Sequence, residues 1–201
     1  MKRFMRKLTC VLVLFMHWNY FLAQSTFTGV ELNFDGSFSA GTLGSSFGVG
    51  PKVGIELNEM FFVGPSFRIQ RTSSNNLGNT FTQTIYGGGV FAHARMKTNG
   101  KATVYGGAEF EYLLSPYNYL TFQTLTSKRW APTLFLCGGF NLKISSYFSL
   151  NAGIYYDIIN ATNSPFRVGY VFKIKDDQGA VVRILPMIYR LSICIPLYKA
   201  K

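Results

Sequence analysis

Glu109 and Glu111 stand two residues apart, a spacing that puts both carboxylates on one face of a strand. Two carboxyls flanking a bond are the machinery of glycoside hydrolysis, but nothing around this pair suggests a substrate cleft. The better-supported chemistry is charge pairing with Arg68, Arg95 or Lys143, because charges inside a protein are tolerated only when paired. His93 is the only histidine beyond His17, and a hydrolase would need it beside a nucleophilic Ser and an acid. Cys137 and Cys194 fall on strands that are not neighbours, too far apart for a disulfide. One His and two separated Cys do not make a metal-ligand spacing. No catalytic, cofactor or metal constellation is predicted, and the chain does not read as an enzyme.

The elements that must position these residues are β-strands. Near the C-terminus Met187, Tyr189, Leu191, Ile193, Ile195 and Leu197 interleave with Ile188, Arg190, Ser192, Cys194 and Pro196, the two-residue period of a strand with two unlike faces. The same pattern predicts strands over Thr26 to Phe34, Phe47 to Leu57, Met60 to Arg71, Phe81 to Met96, Ala102 to Leu113, Trp130 to Ile144, Phe148 to Ile158 and Pro186 to Leu197. Tight turns are expected at Asn58-Glu59, at Lys97 to Lys101 and at Ser145 to Tyr147, which supply the Asn, Gly and Ser that turns need. The intervening links read as long loops, among them Gly36 to Ser46 and Thr72 to Thr80. The longest, Ile159 to Leu185, is expected to carry a hairpin pairing Phe166 to Lys175 with Ala180 to Leu185 around Asp176 to Gly179.

One row of side chains is apolar throughout, as in Val49, Val53 and Ile55 or Phe61, Val63, Phe67 and Ile69. The other row is small and polar and carries Glu31, Lys52, Glu56, Arg68, His93, Arg95, Glu109, Glu111, Lys143, Asp157 and Arg190, interspersed with glycines such as Gly50, Gly54, Gly64, Gly89, Gly107, Gly139 and Gly153. Alternation alone does not say which row points inward. In a soluble secreted barrel of the lipocalin kind, the apolar row would line a ligand cavity. In a membrane barrel, the charged row would fill the interior. Many glycines would weaken strands facing water, whereas a crowded interior needs small residues, and acids and bases on this row nearly balance. Both observations favour an all-β, eight-stranded antiparallel up-and-down transmembrane barrel, its lumen holding a network of those charges. Phe34, Phe61, Tyr112, Trp130, Phe148 and Tyr198 are expected to form interfacial girdles.

Residues 1–23 read as a signal peptide: Lys2, Arg3, Arg6 and Lys7 precede the apolar Leu8 to Phe15, with cleavage expected near Ala23. That run is shorter than the ~20 residues a spanning helix needs. Removing four positive charges from the formal +11 leaves +7 on residues 24–201, which form one barrel domain. The bases are spread along strands and loops instead of forming a run, so they suggest attraction to anionic lipid headgroups and no nucleic-acid partner. No linker or second domain follows the barrel, which ends at Tyr198 to Lys201.

Gly50-Pro51-Lys52-Val53-Gly54, the glycine-rich Tyr86 to Ala92 and Tyr105 to Ala108, and the alternating last strand together resemble the small outer-membrane barrels of the OmpA and OmpX type, and more closely the outer membrane beta-barrel domain proteins. The resemblance implies residence in the outer membrane of a Gram-negative bacterium, as a monomer without a cofactor. It departs from the pattern at the end, where Tyr198 is followed by three more residues, although such barrels usually finish on an aromatic. Some outer-membrane barrels, the lipid A deacylases, carry His-x-Ser, where this chain has His93-Ala94-Arg95. Two functions stay open: a structural or interaction barrel that meets envelope or extracellular protein partners through its outer loops, and a narrow pore for small solutes. An eight-stranded lumen is just wide enough for side chains to fill, which favours the first.

Overall fold

The alternation read in the sequence is an alternation of burial. Along strand β2 (Gly44–Glu56), Ser46, Gly48, Gly50, Lys52 and Gly54 are buried, while Phe47, Val49, Pro51 and Val53 are exposed. A computed structural model describes residues 28–41, 44–58, 60–76, 79–98, 100–118 and 123–199; the expected signal peptide and the residue following its cleavage lie outside them. The other strands are β1 (Gly29–Gly41), β3 (Phe61–Asn76), β4 (Asn79–Lys97), β5 (Ala102–Asn118), β6 (Gln123–Lys143), β7 (Ser149–Asp157), β8 (Lys173–Lys175), β9 (Val181–Ile184) and β10 (Met187–Lys199).

Eight of these close into one barrel in the order β1-β10-β7-β6-β5-β4-β3-β2, and β8 and β9 form a separate hairpin. Every barrel pair is antiparallel, from Leu32 opposite Val53 to Leu32 opposite Ile195 across the closing seam. The charged row points inward. Lys52, Arg68, His93, Glu109, Glu111 and Arg190 are buried, whereas Phe34, Val53, Phe67, Val90, Phe110, Leu136, Phe140, Ile154 and Leu191 are exposed around the whole circumference. That arrangement rules out the lipocalin-like reading, which needs the apolar row inside. No helix among the described residues is long and apolar enough to cross a membrane. A closed barrel crosses with strands and leaves no backbone donor unpaired in lipid.

The interior is crowded enough to dictate glycine. A side-chain carbon at Gly153 would lie 2.0 Å from the Tyr105 hydroxyl, and one at Gly54 would lie 1.8 Å from the Phe62 ring. These two glycines yield their share of the lumen to large inward side chains from other strands.

The expected long loops are mostly strand. β1 and β2 remain paired up to Gly41 opposite Gly44, β3 and β4 up to Asn76 opposite Asn79, and β5 and β6, after a bulge near Ser115, up to Asn118 opposite Gln123. Ser, Thr and Asn obscure the alternation there because both faces of these extensions are outside lipid, yet the backbone ladder continues. Phe34 accordingly lies in the middle of β1 instead of in a girdle, whereas Tyr112 and Trp130 stack on the outer wall with ring centroids 4.8 Å apart. The link after β7 departs from expectation differently. Its hairpin is shorter, Lys173–Lys175 on Val181–Ile184, and residues Pro165–Gly169 form a 3-10 helix. Phe166 of this helix is buried in the barrel mouth against Phe135, Tyr155 and Ile188.

Candidate functional site

Two-residue periodicity on several strands aims charged side chains at one level of the lumen. From β5, Glu109 and Glu111 project inward one above the other. Glu109 receives Lys52 of β2 at 2.5 Å and His93 of β4 at 2.9 Å on one oxygen, and Arg190 of β10 at 2.6 Å on the other. Glu111 receives Arg68 of β3 at 3.0 Å and Arg190 at 3.1 Å. Asp35 of β1 completes the ring: it pairs with Lys52, lies 3.5 Å from the Arg68 guanidinium and accepts the Ser192 hydroxyl at 2.5 Å. Carboxylates Asp35, Glu109 and Glu111 thus face cations Lys52, Arg68 and Arg190, and none of the six is more than 3% exposed. Arg190 also lies over the Phe135 and Tyr155 rings, 4.7 and 4.6 Å from their centres, a contact that strengthens as water is removed.

The remaining charges of the inward row lie elsewhere. Arg95 makes a two-pronged pair with Glu31, at 3.1 and 2.8 Å, nearer the end that carries the termini, and does not reach Glu109. Lys143 is exposed at that same end, and Glu56 is half-buried there. Asp157, at the end of β7, anchors the following loop by accepting the Asn160 amide at 3.0 Å and the Tyr170 hydroxyl at 3.0 Å. Burial, and then the Asp157 carboxylate, push the Tyr170 hydroxyl above its ordinary range. Asp35 lies one residue past the expected first strand, Thr26 to Phe34. Extending the Val30, Leu32, Phe34 alternation by one residue would have placed Asp35 on the inward row.

The fold also brings together a set that no spacing along the chain announces: ligand atoms of His93, Glu109 and Cys137 lie within 4.8 Å of one another. They come from β4, β5 and β6, whose register aligns His93 with Gly107 and Gly107 with Cys137. Lys52 holds the Glu109 oxygen that would serve as ligand, so the set as built is part of the charge cluster. It does not form a hydrolytic relay either. The Cys137 sulfur, at 3.5 Å, and the Glu109 carboxylate, at 2.9 Å, meet the same nitrogen of His93, whereas a base that activates a thiol must be oriented through its other nitrogen. Cys137 and Cys194 are both free.

A closed wall of backbone hydrogen bonds, an apolar exterior and a charged interior define a transmembrane β-barrel of the eight-stranded outer-membrane type. Among solved structures, the chain is similar to the Yersinia pestis outer membrane protein Ail in a phospholipid bilayer nanodisc, with TM-score 0.48 and 13% identity over 85% of this chain and 99% of that one. It is similar also to Neisserial surface protein A, with TM-score 0.44 and 15% identity over 85% and 94%, and to the N-terminal barrel of Pseudomonas aeruginosa OprF, with TM-score 0.41 and 10% identity over 85% and 98%. No protein-family model matches the chain. No curated protein matches it.

The pairing makes specific demands on stability. Glu109→Gln leaves Lys52 and Arg190 short of a partner and is expected to cost on the order of 3 to 5 kcal/mol, read as the urea midpoint of the refolded barrel in detergent. Lys52→Met combined with Glu109→Gln should cost less than the sum of the singles. Arg95→Met combined with Glu109→Gln should be additive, since Arg95 pairs with Glu31.

Proposed function

We propose that the protein is a monomeric outer-membrane barrel, exported by its N-terminal signal peptide, with a lumen closed to ions and with its work done by contact outside the membrane. The observation that carries this reading is the unequal length of the strands. β3, β4, β5 and β6 span 16, 19, 17 and 21 residues, while β7 spans 9. A tilted strand needs only about 9 to 11 residues to cross a bilayer, so these four extend well past the lipid on the side away from the termini. β6 is paired with β7 only from Phe135 onward, and its preceding stretch offers an edge of backbone groups, partly met by the Asn163 side chain on the Trp130 carbonyl at 3.2 Å. Exposed edges are where extended partner segments add to a sheet.

Closure of the lumen is supported by the charge cluster and by the loop above it. Phe166 sits over both Arg68 and Arg190, with centroid distances of 5.6 and 5.3 Å, and Gln70 donates to the Pro165 carbonyl at 3.0 Å. The purified protein in planar bilayers is therefore expected to show no stable single-channel steps, and Arg68→Gly with Glu111→Gly to open a small conductance. Reproducible ion-selective steps from the unmodified protein would make it a pore. Contact outside the membrane is tested by a photo-crosslinking side chain at Arg129, on the β6 extension, in intact cells. Protein adducts are expected there and not from the same group at the lipid-facing Leu136. Adduct patterns indistinguishable between the two positions would contradict a partner-binding extension.

A further inference from the structure

Inside the barrel the buried charges find opposite charges; at the end carrying the termini Arg95 pairs with Glu31 and lies within electrostatic reach of Glu56, while Lys101 and Lys143 stand exposed. There the lumen widens into an open cavity of about 360 Å³, with the Arg95–Glu31 pair and Phe62 among its lining residues. Its rim holds Glu56, Lys101 and Lys143, and among the described residues none of these three has an opposite charge within 4.0 Å. The two lysines are neighbours, since the Lys143 amide donates to the Lys101 carbonyl at 2.9 Å. Adjacent like charges repel unless a counter-charge sits between them.

The topology places these leftover charges on opposite walls. In the ring order, β2 lies across the barrel from β6, and β1 lies across from β5. Glu56 closes β2 and Lys143 closes β6, while Lys101 immediately precedes β5. One wall therefore carries Glu56 and the facing wall the two lysines, and the inward Phe62 ring is among the residues that line the cavity.

We propose that this mouth binds a short free peptide, its α-ammonium on Glu56, its carboxylate between Lys101 and Lys143, and an apolar side chain against Phe62. A simple anion answers only the lysines, whereas a peptide carries its ammonium and its carboxylate at opposite ends. The volume falls in the range of small-molecule sites, about 300 to 1,000 Å³. This site is independent of the contact surface proposed at the other end of the barrel.

The test uses the full barrel, isotope-labelled, in a non-ionic detergent, because zwitterionic detergents would compete. Glycyl-phenylalanyl-glycine with free termini is titrated while amide shifts are followed beside both walls. Saturable shifts at both walls are expected, with the N-acetylated and the C-amidated peptides each binding about tenfold more weakly, the loss of one charged contact worth about 1.4 kcal/mol. In the double variant Lys101→Gln with Lys143→Gln, two exposed positions whose loss leaves the folded band on gels unchanged, amidation should no longer matter while acetylation still does. Three results would overturn the proposal: capped peptides that bind as well as the free one, inorganic phosphate that reproduces the lysine-side shifts with the same affinity, or no saturable shift up to about 10 mM peptide, a concentration weaker than any useful site.

Discussion

Eight strands closed on themselves leave an interior that side chains must fill, and charges placed there must find their opposites. Glu109 is where the constraint bites hardest: it receives Lys52, His93 and Arg190 from three different strands. An isolated carboxylate at this depth would be prohibitively costly, so the strands can close only in a register that delivers those partners. Close packing around the cluster then sets the sizes of its neighbours. Tyr105 crosses to hydrogen-bond Tyr155 at 3.3 Å and can do so only because residue 153 is glycine.

What happens at the two ends follows from the cluster in the middle. On one side the loop after β7 turns inward, its Phe166 meeting guanidinium planes on one face and the Phe135 ring edge-on, 5.0 Å between centres. Asp157 and Tyr170 hold that loop down, and Arg167 ties it to the Asn160 carbonyl at 2.9 Å. On the other side none of the described residues folds back over the lumen. Short turns leave the mouth open, and its rim charges face each other across water. The barrel is thus polar along its axis in the mechanical sense, capped at the end with long strands and concave at the end with the termini.

The strands and their facing were legible because a lipid-spanning barrel has the simplest code available, apolar out and polar in at every second residue. Val53 beside Lys52, or Phe67 beside Arg68, reads correctly without any tertiary knowledge. The code fails where lipid ends. Past Arg71 and before Phe81, Ser, Thr and Asn occupy both rows, no apolar row marks an outer face, and a continuing ladder looks like a loop. Partner identity inside the lumen was less legible still. Which charges meet depends on register and strand tilt, which bring Lys52 to Glu109, 57 residues away, and Ser192 to Asp35, 157 residues away. The meeting of His93 and Cys137 has the same origin, and no spacing within one strand announces it. The 3-10 helix was hidden for another reason: Pro165-Phe166-Arg167-Val168 has the composition of an edge strand, and only the Ser164 cap and the space above Arg68 and Arg190 turn it inward.

Lys52 offers the most direct test of the buried cluster. It is 3% exposed and held between Asp35 and Glu109, whereas Lys143 stands in solvent on the same protein. In the folded barrel, brief treatment with a small amine-acylating reagent, followed by mass spectrometry of the peptides, should modify Lys143 and spare Lys52. After heating to the unfolded form, both should react alike. Equal modification of Lys52 and Lys143 in the folded barrel would mean that water and reagent reach the middle of the lumen, and that the interlocked charges do not close it.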